Sequence, residues 1–166
     1  MRDFLDTIRG GVNVVGNASS LKNKALGQQI DLRTTIRFNW IELTEDTGFR
    51  QDIVCTNFPH NLKYKYQWLV ADRHHYGHTT IVYPRPILKD LQRIVKKKPS
   101  NGCRLLYLLD QFQIQDVNVY GFDWKETPTM IVKEKVSTPE NEHHDYAREK
   151  AFCLEMIAKN NWTHMK

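Results

Sequence analysis

Residues 12–39, VNVVGNASSLKNKALGQQIDLRTTIRFN, decide the fold. A Val-rich run ends at Gly16-Asn17, a helical pattern follows, and a second strand-like run ends on Asn39. Short apolar runs bounded by turn residues are typical of strands buried on both faces, as in parallel sheets. The stretch therefore predicts two strands of one parallel sheet joined by a helical connection.

The rest of the chain continues this alternation. Strands are predicted at 12–16, 34–39, 52–55, 79–83 and 116–121, and helices at 19–30, 62–72, 86–97, 101–113 and 143–160. The first residues favour a short amphipathic helix with Phe4, Leu5 and Ile8 inward. We expect an α/β fold, a single Rossmann-like domain over residues 1–166 with a mostly parallel sheet flanked by helices. In such sheets, ligands bind beyond the carboxyl ends of the strands, at a topological switch point.

The composition is that of an ordinary soluble domain. Hydrophobic residues make up 40% and charged residues 26% of the chain. No apolar stretch is long enough for a membrane span, and the first residues do not form a signal peptide. The three cysteines are odd in number and lie in apolar runs. A reducing, cytoplasmic location is the simplest expectation, with the thiols acting as small core residues.

The net charge of +5 includes one dense basic run, Lys96 to Lys98 with Arg93 close before it. The ordinary interpretation is a solvated helix C-terminus that suits the helix dipole. The alternative is attraction to an anionic membrane surface, and thus peripheral membrane contact, or to a polyanionic acceptor.

Polar residues follow the first two predicted strands. Gly16 permits close backbone approach, and Asn17 tolerates a left-handed turn while offering an amide donor. Asn39 ends the second strand, and strand alternation would place Arg37 on the same face. A plain turn and a solvated strand end are the ordinary interpretations of these positions.

Two further places could contact an anionic ligand. Ser100, Asn101 and Gly102 precede the apolar run CRLLYLL and resemble a helix N-terminus with free N–H groups. An ordinary N-cap explains them equally well. Tyr83 lies between a strand and a proline and could donate its hydroxyl to a phosphate, although such a tyrosine more often only packs.

His144 is the candidate general base, because it falls where the last long helix is expected to begin. The positive end of the helix dipole would lower its pKa and keep the imidazole neutral. Glu149 follows five residues later, which is not same-face spacing, so we expect it to orient neighbouring backbone instead. A capping or surface role is the ordinary interpretation of a histidine at a helix start.

No metal site is expected. His74, His75 and His78 are close in sequence, but no cysteine pair or H-E-x-x-H motif supports a zinc site. A polar loop is the better interpretation. The chain also has no Asp-x-Asp, the carboxylate pattern with which many nucleotide-sugar transferases hold a metal on a diphosphate.

Three stretches in order resemble the sialyltransferases of glycosyltransferase family 29. Segment 12–39 is similar to their large motif, with VVGN, GQQID and RFN in the right order. Segment 99–122 is similar to their small motif, opening on PSNG and closing on VYGF. HDYARE at 144–149 matches their very small motif, His-x-x-x-x-Glu.

The resemblance implies an inverting transfer from a CMP-sugar donor to a saccharide or glycolipid acceptor, on a GT-A-like variant of the Rossmann-like fold. It implies that Asn17 and Asn39 hold the CMP phosphate and ribose beside Gly16, with Tyr83 near the phosphate. It places Ser100, Asn101 and Gly102 around the cytidine. His144 would be the base and Glu149 a supporting residue. No cofactor and no obligatory metal are implied, because the leaving group carries no diphosphate.

The chain departs from the family at several points. Val12 stands near the cysteine that animal members use in a disulfide, and no membrane anchor is visible, which suits a bacterial or viral relative. A third motif, histidine followed by aromatics, is missing. His143 or the TPT at 127–129 (Thr127 to Thr129) are candidate replacements. The donor sugar is therefore expected to be sialic acid, with another ulosonic acid such as Kdo as the alternative.

A non-catalytic nucleotide or nucleic-acid binding module is the competing hypothesis. The basic run and the aromatic residues Tyr64, Tyr66 and Trp68 support it. The other basic residues are scattered and no RRM or KH motif is present, so nucleic acid is not the expected partner. A degenerate transferase that binds CMP without turnover is a third, weaker alternative.

Overall fold

Short apolar strands build the core of the structure, a computed structural model that describes residues 2–39, 43–59, 65–130 and 143–166. In chain order the strands are β1 (Val12–Val15), β2 (Thr34–Phe38), β3 (Ile53–Cys55), β4 (Trp68–Ala71), β5 (Thr80–Val82), β6 (Val117–Tyr120) and β7 (Thr163–Met165). The five strands predicted from the sequence are all present, each within one or two residues of its expected bounds.

These strands form one sheet in the order β5-β4-β3-β2-β1-β6-β7, and every pairing within it is parallel. The chain adds β2 to β5 on one side of β1 and then returns to place β6 on the other side. A switch point therefore lies between β1 and β6. The prediction of a single Rossmann-like α/β domain with a mostly parallel sheet is confirmed.

Helices connect the strands and cover the sheet. They are α1 (Arg2–Ile8), a 3-10 turn (Ser19–Leu21), α2 (Gly27–Asp31), α3 (Arg85–Val95), α4 (Asn101–Gln111) and α5 (Tyr146–Lys159). Phe4 and Ile8 are fully buried, as predicted for the amphipathic N-terminal helix. Ser100 is the N-cap of α4, since its side chain accepts a hydrogen bond from the amide of Cys103.

Two expectations about the elements are wrong, and one strand was not expected. The predicted helix 19–30 is interrupted, because Asn23 and Ala25 adopt positive φ angles of 62° and 50°. Within the predicted helix 62–72, Trp68–Ala71 is strand β4, and residues 62–64 lie outside the described residues. A four-residue apolar run cannot be assigned by periodicity alone. The edge strand β7 follows α5 and was not predicted.

Alternating side chains place apolar clusters on both faces of the sheet. Val14 and Val119 belong to the larger cluster, which α1, α3, α4 and α5 cover. The next residue along each strand, Val15 in β1 and Tyr120 in β6, faces the other side of the sheet. Both belong to a smaller cluster that also includes Leu21 of the 3-10 turn. This two-sided burial explains why the central strands are apolar at nearly every position.

Polar side chains are nevertheless buried in the central strands. Asn13 and Asn118 are paired across β1 and β6, where the Asn118 amide donates to Asn13 Oδ1 at 2.9 Å. Arg37 of β2 is fully buried and donates to the carbonyl oxygens of Arg50 (2.7 Å) and Thr47 (2.8 Å). Burial lowers the pKa of Arg37 to about 10. Arg37 therefore anchors a loop.

The three cysteines are free thiols, and each is buried. Cys55, Cys103 and Cys153 all belong to the larger apolar cluster, so the expectation that they act as core residues is confirmed. Among the described residues, no helix combines the length and apolarity that crossing a bilayer requires.

Candidate active site

A cavity of about 370 Å³ opens at the carboxyl ends of the central strands, over the switch point. Its volume lies within the usual range for small-molecule sites. The walls come from residues 16–18, 38–39, 57–58, 98–104, 121–125, 129, 144 and 146. Most of the residues that the sequence singled out therefore share one cavity, although they are distant along the chain.

Gly16 allows the turn after β1 to lie directly against the turn after β6. Its amide donates to the carbonyl of Tyr120 at 2.8 Å. A Cβ atom at this position would lie 2.3 Å from the carbonyl oxygen of Gly121, closer than any real contact. The physical requirement for glycine here is thus close backbone approach between the two strand ends.

Asn17 and Asn39 approach the cavity from neighbouring strands. The Asn17 amide donates to the carbonyl of Phe38 at 3.0 Å, while its Oδ1 is buried with no hydrogen-bond partner among the described residues. Asn39 Oδ1 accepts from Thr56 Oγ1 at 3.0 Å and lies 3.5 Å from the amide of Asn101. The Asn17 oxygen is therefore an acceptor available to a ligand donor.

The prediction made from strand alternation is wrong at the end of β2. The sequence placed Arg37 and Asn39 on one face, but Asn39 has a left-handed φ of 51° and turns the chain out of the strand. Consequently Asn39 lines the cavity, whereas Arg37 is not among the lining residues. Asparagine is one of the few residues that adopt this conformation at low cost.

The N-terminus of α4 forms the opposite wall. Ser100 caps it, and Asn101 and Gly102 form its first turn against the cavity. A Cβ atom on Gly102 would lie 2.7 Å from the ring of Phe122, so glycine lets the helix end pack onto that ring. The first amides of a helix carry a partial positive charge that favours an anionic or polar ligand.

Glu149 of α5 holds the helix end in place. Its Oε1 accepts from the Ser100 amide at 2.8 Å and its Oε2 from Ser100 Oγ at 2.5 Å. The carboxylate is fully buried. Burial raises the pKa of Glu149, and the hydrogen bonds from Ser100 lower it. Glu149 thus orients neighbouring backbone, the arrangement that its spacing from His144 led us to expect.

His144 lies on the cavity wall with one ring nitrogen fixed. Its Nδ1 is 2.7 Å from the carbonyl oxygen of Lys98. A carbonyl can only accept, so Nδ1 carries a hydrogen and Nε2 of the neutral ring holds a lone pair. The Glu149 carboxylate is 3.9 Å from Nδ1, too far for a hydrogen bond. This tautomer is the one that a general base requires.

The helix begins slightly later than the sequence indicated. Asp145 is the N-cap of α5, its side chain accepts from the Arg148 amide, and the first helical residue is Tyr146. His144 therefore precedes the helix rather than opening it. Its orientation comes from the Lys98 carbonyl, a contact between residues 46 positions apart.

Tyr83, the predicted phosphate ligand, does not line the cavity. It is buried in the larger apolar cluster, and its hydroxyl lies 2.8 Å from Cys55 Sγ. Burial raises the pKa of Tyr83 well above its ordinary value. Its side chain packs into the core, so we remove Tyr83 from the set of phosphate ligands.

The structure places the candidate replacements for the third motif differently: Thr129 lines the cavity, and His143 does not. His143 is exposed and does not line the cavity. Thr129 does line it, in an isolated bridge with Ala18. Thr127 instead donates to the buried carboxylate of Asp123.

Several lining residues were missed from the sequence. Asn57, Phe58, Trp124, Lys125 and Tyr146 all contribute to the cavity. Asn57 follows β3 closely, and the rule that ligands bind beyond strand ends could have found it. Trp124 and Lys125 follow the VYGF end of the second motif, but no periodicity marks loop residues of this kind.

The remaining sequence features do not build a second site. The Tyr66 hydroxyl lies 2.6 Å from His78 Nδ1 with the rings stacked, and Trp68 packs edge-on against Phe4. Tyr64 lies outside the described residues. Over residues 2–39, 43–59, 65–130 and 143–166, no three histidine, cysteine or acidic side chains gather as metal ligands would. The aromatic residues thus give little support to a nucleic-acid surface.

Comparison with known proteins gives a likeness in structure alone. No protein-family model matches the chain, and no curated protein matches it in sequence. Two crystal structures of a mammalian sialyltransferase are similar in fold, with TM-scores of 0.67 and 0.66 and identities of 18% and 17%. In each case the similar region covers 98% of this chain and 76% of the sialyltransferase chain. The second structure holds Gal-β1-3GalNAc-ortho-nitrophenol. At this identity, the chain has the fold of these sialyltransferases.

Proposed function

We propose that the protein is an inverting, metal-independent glycosyltransferase. It moves sialic acid, or a related ulosonic acid such as Kdo, from a CMP-sugar to a saccharide or glycolipid acceptor. The observation that carries this proposal is the position of His144. Its ring is fixed by the Lys98 carbonyl, on the wall of a cavity that Asn17, Asn39 and the α4 N-terminus also line.

The mechanism follows from these positions. The cytidine base and ribose lie against the α4 N-terminus and the asparagine side chains, and the phosphate lies over the switch point. The bond between the anomeric carbon and the phosphate oxygen breaks, and the phosphate keeps the electron pair. The acceptor hydroxyl oxygen bonds to the anomeric carbon as its proton passes to His144 Nε2. A general base of this kind is worth about 10²–10⁴ in rate.

A monophosphate leaving group explains why a metal is not required. It carries less charge than a diphosphate, and fixed N–H donors and cationic side chains can stabilise the charge that develops on it. The absence of Asp-x-Asp from the sequence agrees with this proposal.

We further propose that the enzyme works in the cytoplasm, at the membrane face. The free thiols suit a reducing compartment. Arg85, Lys89, Arg93 and Lys96 recur at helical spacing and are exposed, and we call them the basic face of α3. Lys98 follows this face and lines the cavity, so the basic surface leads to the site. An acceptor glycolipid in an anionic membrane would then be presented at the cavity.

The test is turnover of CMP-Neu5Ac and CMP-Kdo with a panel of acceptor glycans. The parent should release CMP and form a glycosylated product with one of the two donors. His144→Ala should lower the rate about 10²–10⁴-fold while leaving CMP affinity nearly unchanged. His74→Ala, at an exposed histidine outside the cavity, is the matched control.

The outcomes separate the alternatives. Equal rates in the parent and His144→Ala would remove His144 from the mechanism. CMP binding without turnover in either protein would indicate a degenerate transferase. Salt-sensitive binding of oligonucleotides, with none of CMP, would favour the nucleic-acid module.

A further inference from the structure

The turn that leaves β6 is strained at the edge of the cavity. Trp124 and Lys125 follow one another with φ angles of 51° and 72°, in the left-handed region that glycine favours. Each such residue costs roughly 1–2 kcal/mol. Strain of this kind persists only when surrounding contacts hold it, and it is concentrated at ligand sites.

Asp123 supplies the contacts that hold this turn. Its carboxylate accepts from the Lys125 amide at 3.1 Å and the Thr127 amide at 3.0 Å, and also from the Thr127 hydroxyl. Asp123 is only 5% exposed. The backbone of Lys125 is therefore fixed by a buried acid that also holds both donors of Thr127.

This turn is also attached to the turn after β1, where the donor phosphate is proposed to lie. The Ala18 amide donates to the Gly121 carbonyl at 3.4 Å, and the Met130 amide donates to the Asn17 carbonyl at 2.9 Å. Segments 16–19 and 121–130 thus form one hydrogen-bonded edge of the cavity. Lys125 belongs to the same edge as Asn17.

Three cationic side chains line the described part of the cavity, and they differ in what they contact. Arg104 is buried and paired with Asp72 at 2.5 Å. Lys98 is exposed at the rim. Lys125 is half-buried, and its Nζ makes no hydrogen bond or salt bridge to any described residue. Burial lowers the pKa of Lys125 and the charge of neighbouring Asp123 raises it, with burial the larger effect, so the ammonium would gain from a further anionic partner.

We propose that the Lys125 ammonium binds the phosphate of the CMP-sugar and stabilises it as it leaves. This inference rests on the proposed function and names the group that would neutralise the leaving-group charge. As the glycosidic bond breaks, its electron pair passes to the phosphate oxygen, and the charge that develops there lies against Lys125 Nζ. Lys125 exchanges no proton in this step, since the acceptor proton goes to His144.

The experiment compares CMP with cytidine, which differ only in the phosphate. Calorimetric titration of the parent should show CMP binding more tightly than cytidine. Lys125→Met should weaken CMP binding about 10–100-fold, the range expected for one hydrogen bond to a charged group, and leave cytidine binding unchanged. Lys125→Arg should restore most of the CMP affinity. Lys22→Met, at an exposed lysine outside the cavity, is the matched control.

Each other result overturns the proposal in a recognisable way. Equal losses of CMP and cytidine affinity in Lys125→Met would show that Lys125 only supports the fold of the turn. An unchanged CMP affinity in that variant would assign the phosphate to other groups while leaving the transferase proposal intact. If the parent bound neither ligand, the proposed function would fail, and the role of Lys125 with it. Thermal unfolding of each variant verifies that the protein is folded.

Discussion

The Glu149 carboxylate connects the two halves of the candidate site. It is fully buried, accepts both polar hydrogens of Ser100, and lies 3.9 Å from the His144 ring. Burying a charged group is costly unless hydrogen bonds compensate, so Glu149 and Ser100 constrain one another. One residue therefore fixes the α4 N-terminus beside the histidine that is proposed to remove the acceptor proton.

Glu149→Gln should change how stability depends on pH. Burial raises the pKa of Glu149 above its ordinary value of 4.5. A carboxyl group whose pKa is raised by folding stabilises the folded protein fully at a pH below its unfolded-state pKa. This stabilisation is lost as the pH rises through its folded-state pKa. The free energy of unfolding of the parent should thus include a component that falls as the pH rises from the unfolded-state to the folded-state pKa of Glu149. Glutamine should abolish that component, because it does not titrate.

Urea denaturation of both proteins from about pH 4 to 7 measures this difference. Glu155→Gln, at an exposed position of the same helix, is the matched control and should follow the parent. A parent-minus-variant difference that stays constant across the range would contradict the prediction.

Single residues were predictable from the sequence where the reason was local. Ser100 was identified as an N-cap. The five-residue spacing argued against direct pairing of His144 and Glu149; their separation of 3.9 Å is too long for a hydrogen bond but lies within ion-pair distance. The Ser100–Glu149 contact joins positions 49 apart, and no spacing rule reveals it. Tyr83 was misplaced because the direction of a side chain at a strand end depends on packing that the sequence does not show.

At the scale of elements, the close approach of the β1 and β6 ends shapes the cavity floor. Gly16→Ala should destabilise the fold, since the added Cβ would lie 2.3 Å from the Gly121 carbonyl oxygen. Overpacking of this kind costs about 1–3 kcal/mol. Gly10→Ala is the matched control, because a Cβ at Gly10 meets nothing within 4 Å. The measurement is the free energy of unfolding in urea, and equal values for the two variants would refute the requirement for glycine.

The basic face of α3 predicts salt-sensitive adsorption to anionic vesicles. Asp90 pairs with Arg93 at 3.1 Å, and the other basic residues of this face form no salt bridge with any residue that the structure describes. Each basic residue near an anionic surface is worth about 1 kcal/mol. Replacing Arg85, Lys89 and Lys96 together with glutamine should therefore weaken partitioning onto phosphatidylserine vesicles about 100-fold.

Co-sedimentation with vesicles checks this prediction. A control triple variant at the exposed residues Lys22, Lys65 and Arg73 has the same net charge but leaves the face intact. Binding that falls equally in both variants would show that only the overall charge matters. Binding that persists at high salt would exclude an electrostatic origin.

Elements were predicted well where two signals agreed. The helix α4 has both a cap and a long apolar pattern, and it matched its prediction closely. Strand β4 was taken for a helix, because its four apolar residues fit either period and only pairing with β3 and β5 decides the outcome. Strand β7 lies at the sheet edge beside β6 and follows α5 after only a short turn.

Over the whole molecule, the parallel topology explains why distant segments converge. All strands end at one edge, so the turn after β1, the end of β2 and the turn after β6 meet over the switch point. The sequence predicts this edge as the ligand site because strands alternate with helices. It does not predict which loop residues, such as Trp124 and Lys125, turn inward, since loop geometry is set by tertiary contacts.

The proposed chemistry makes a prediction for the whole enzyme, that turnover does not need a divalent cation. In the proposed mechanism, N–H donors and the Lys125 ammonium neutralise the phosphate leaving group, so a metal would add little to charge stabilisation. Turnover of the CMP-sugar in excess EDTA should stay within about twofold of the rate with added Mg²⁺, a difference of less than 0.5 kcal/mol in the barrier.

The Lys125→Met variant makes this test more specific. If Lys125 supplies the cation, removing it should slow transfer, and added Mg²⁺ or Mn²⁺ should restore part of the lost rate by screening the same phosphate. A parent enzyme that loses turnover in EDTA and regains it with Mg²⁺ or Mn²⁺ would contradict the metal-independent mechanism.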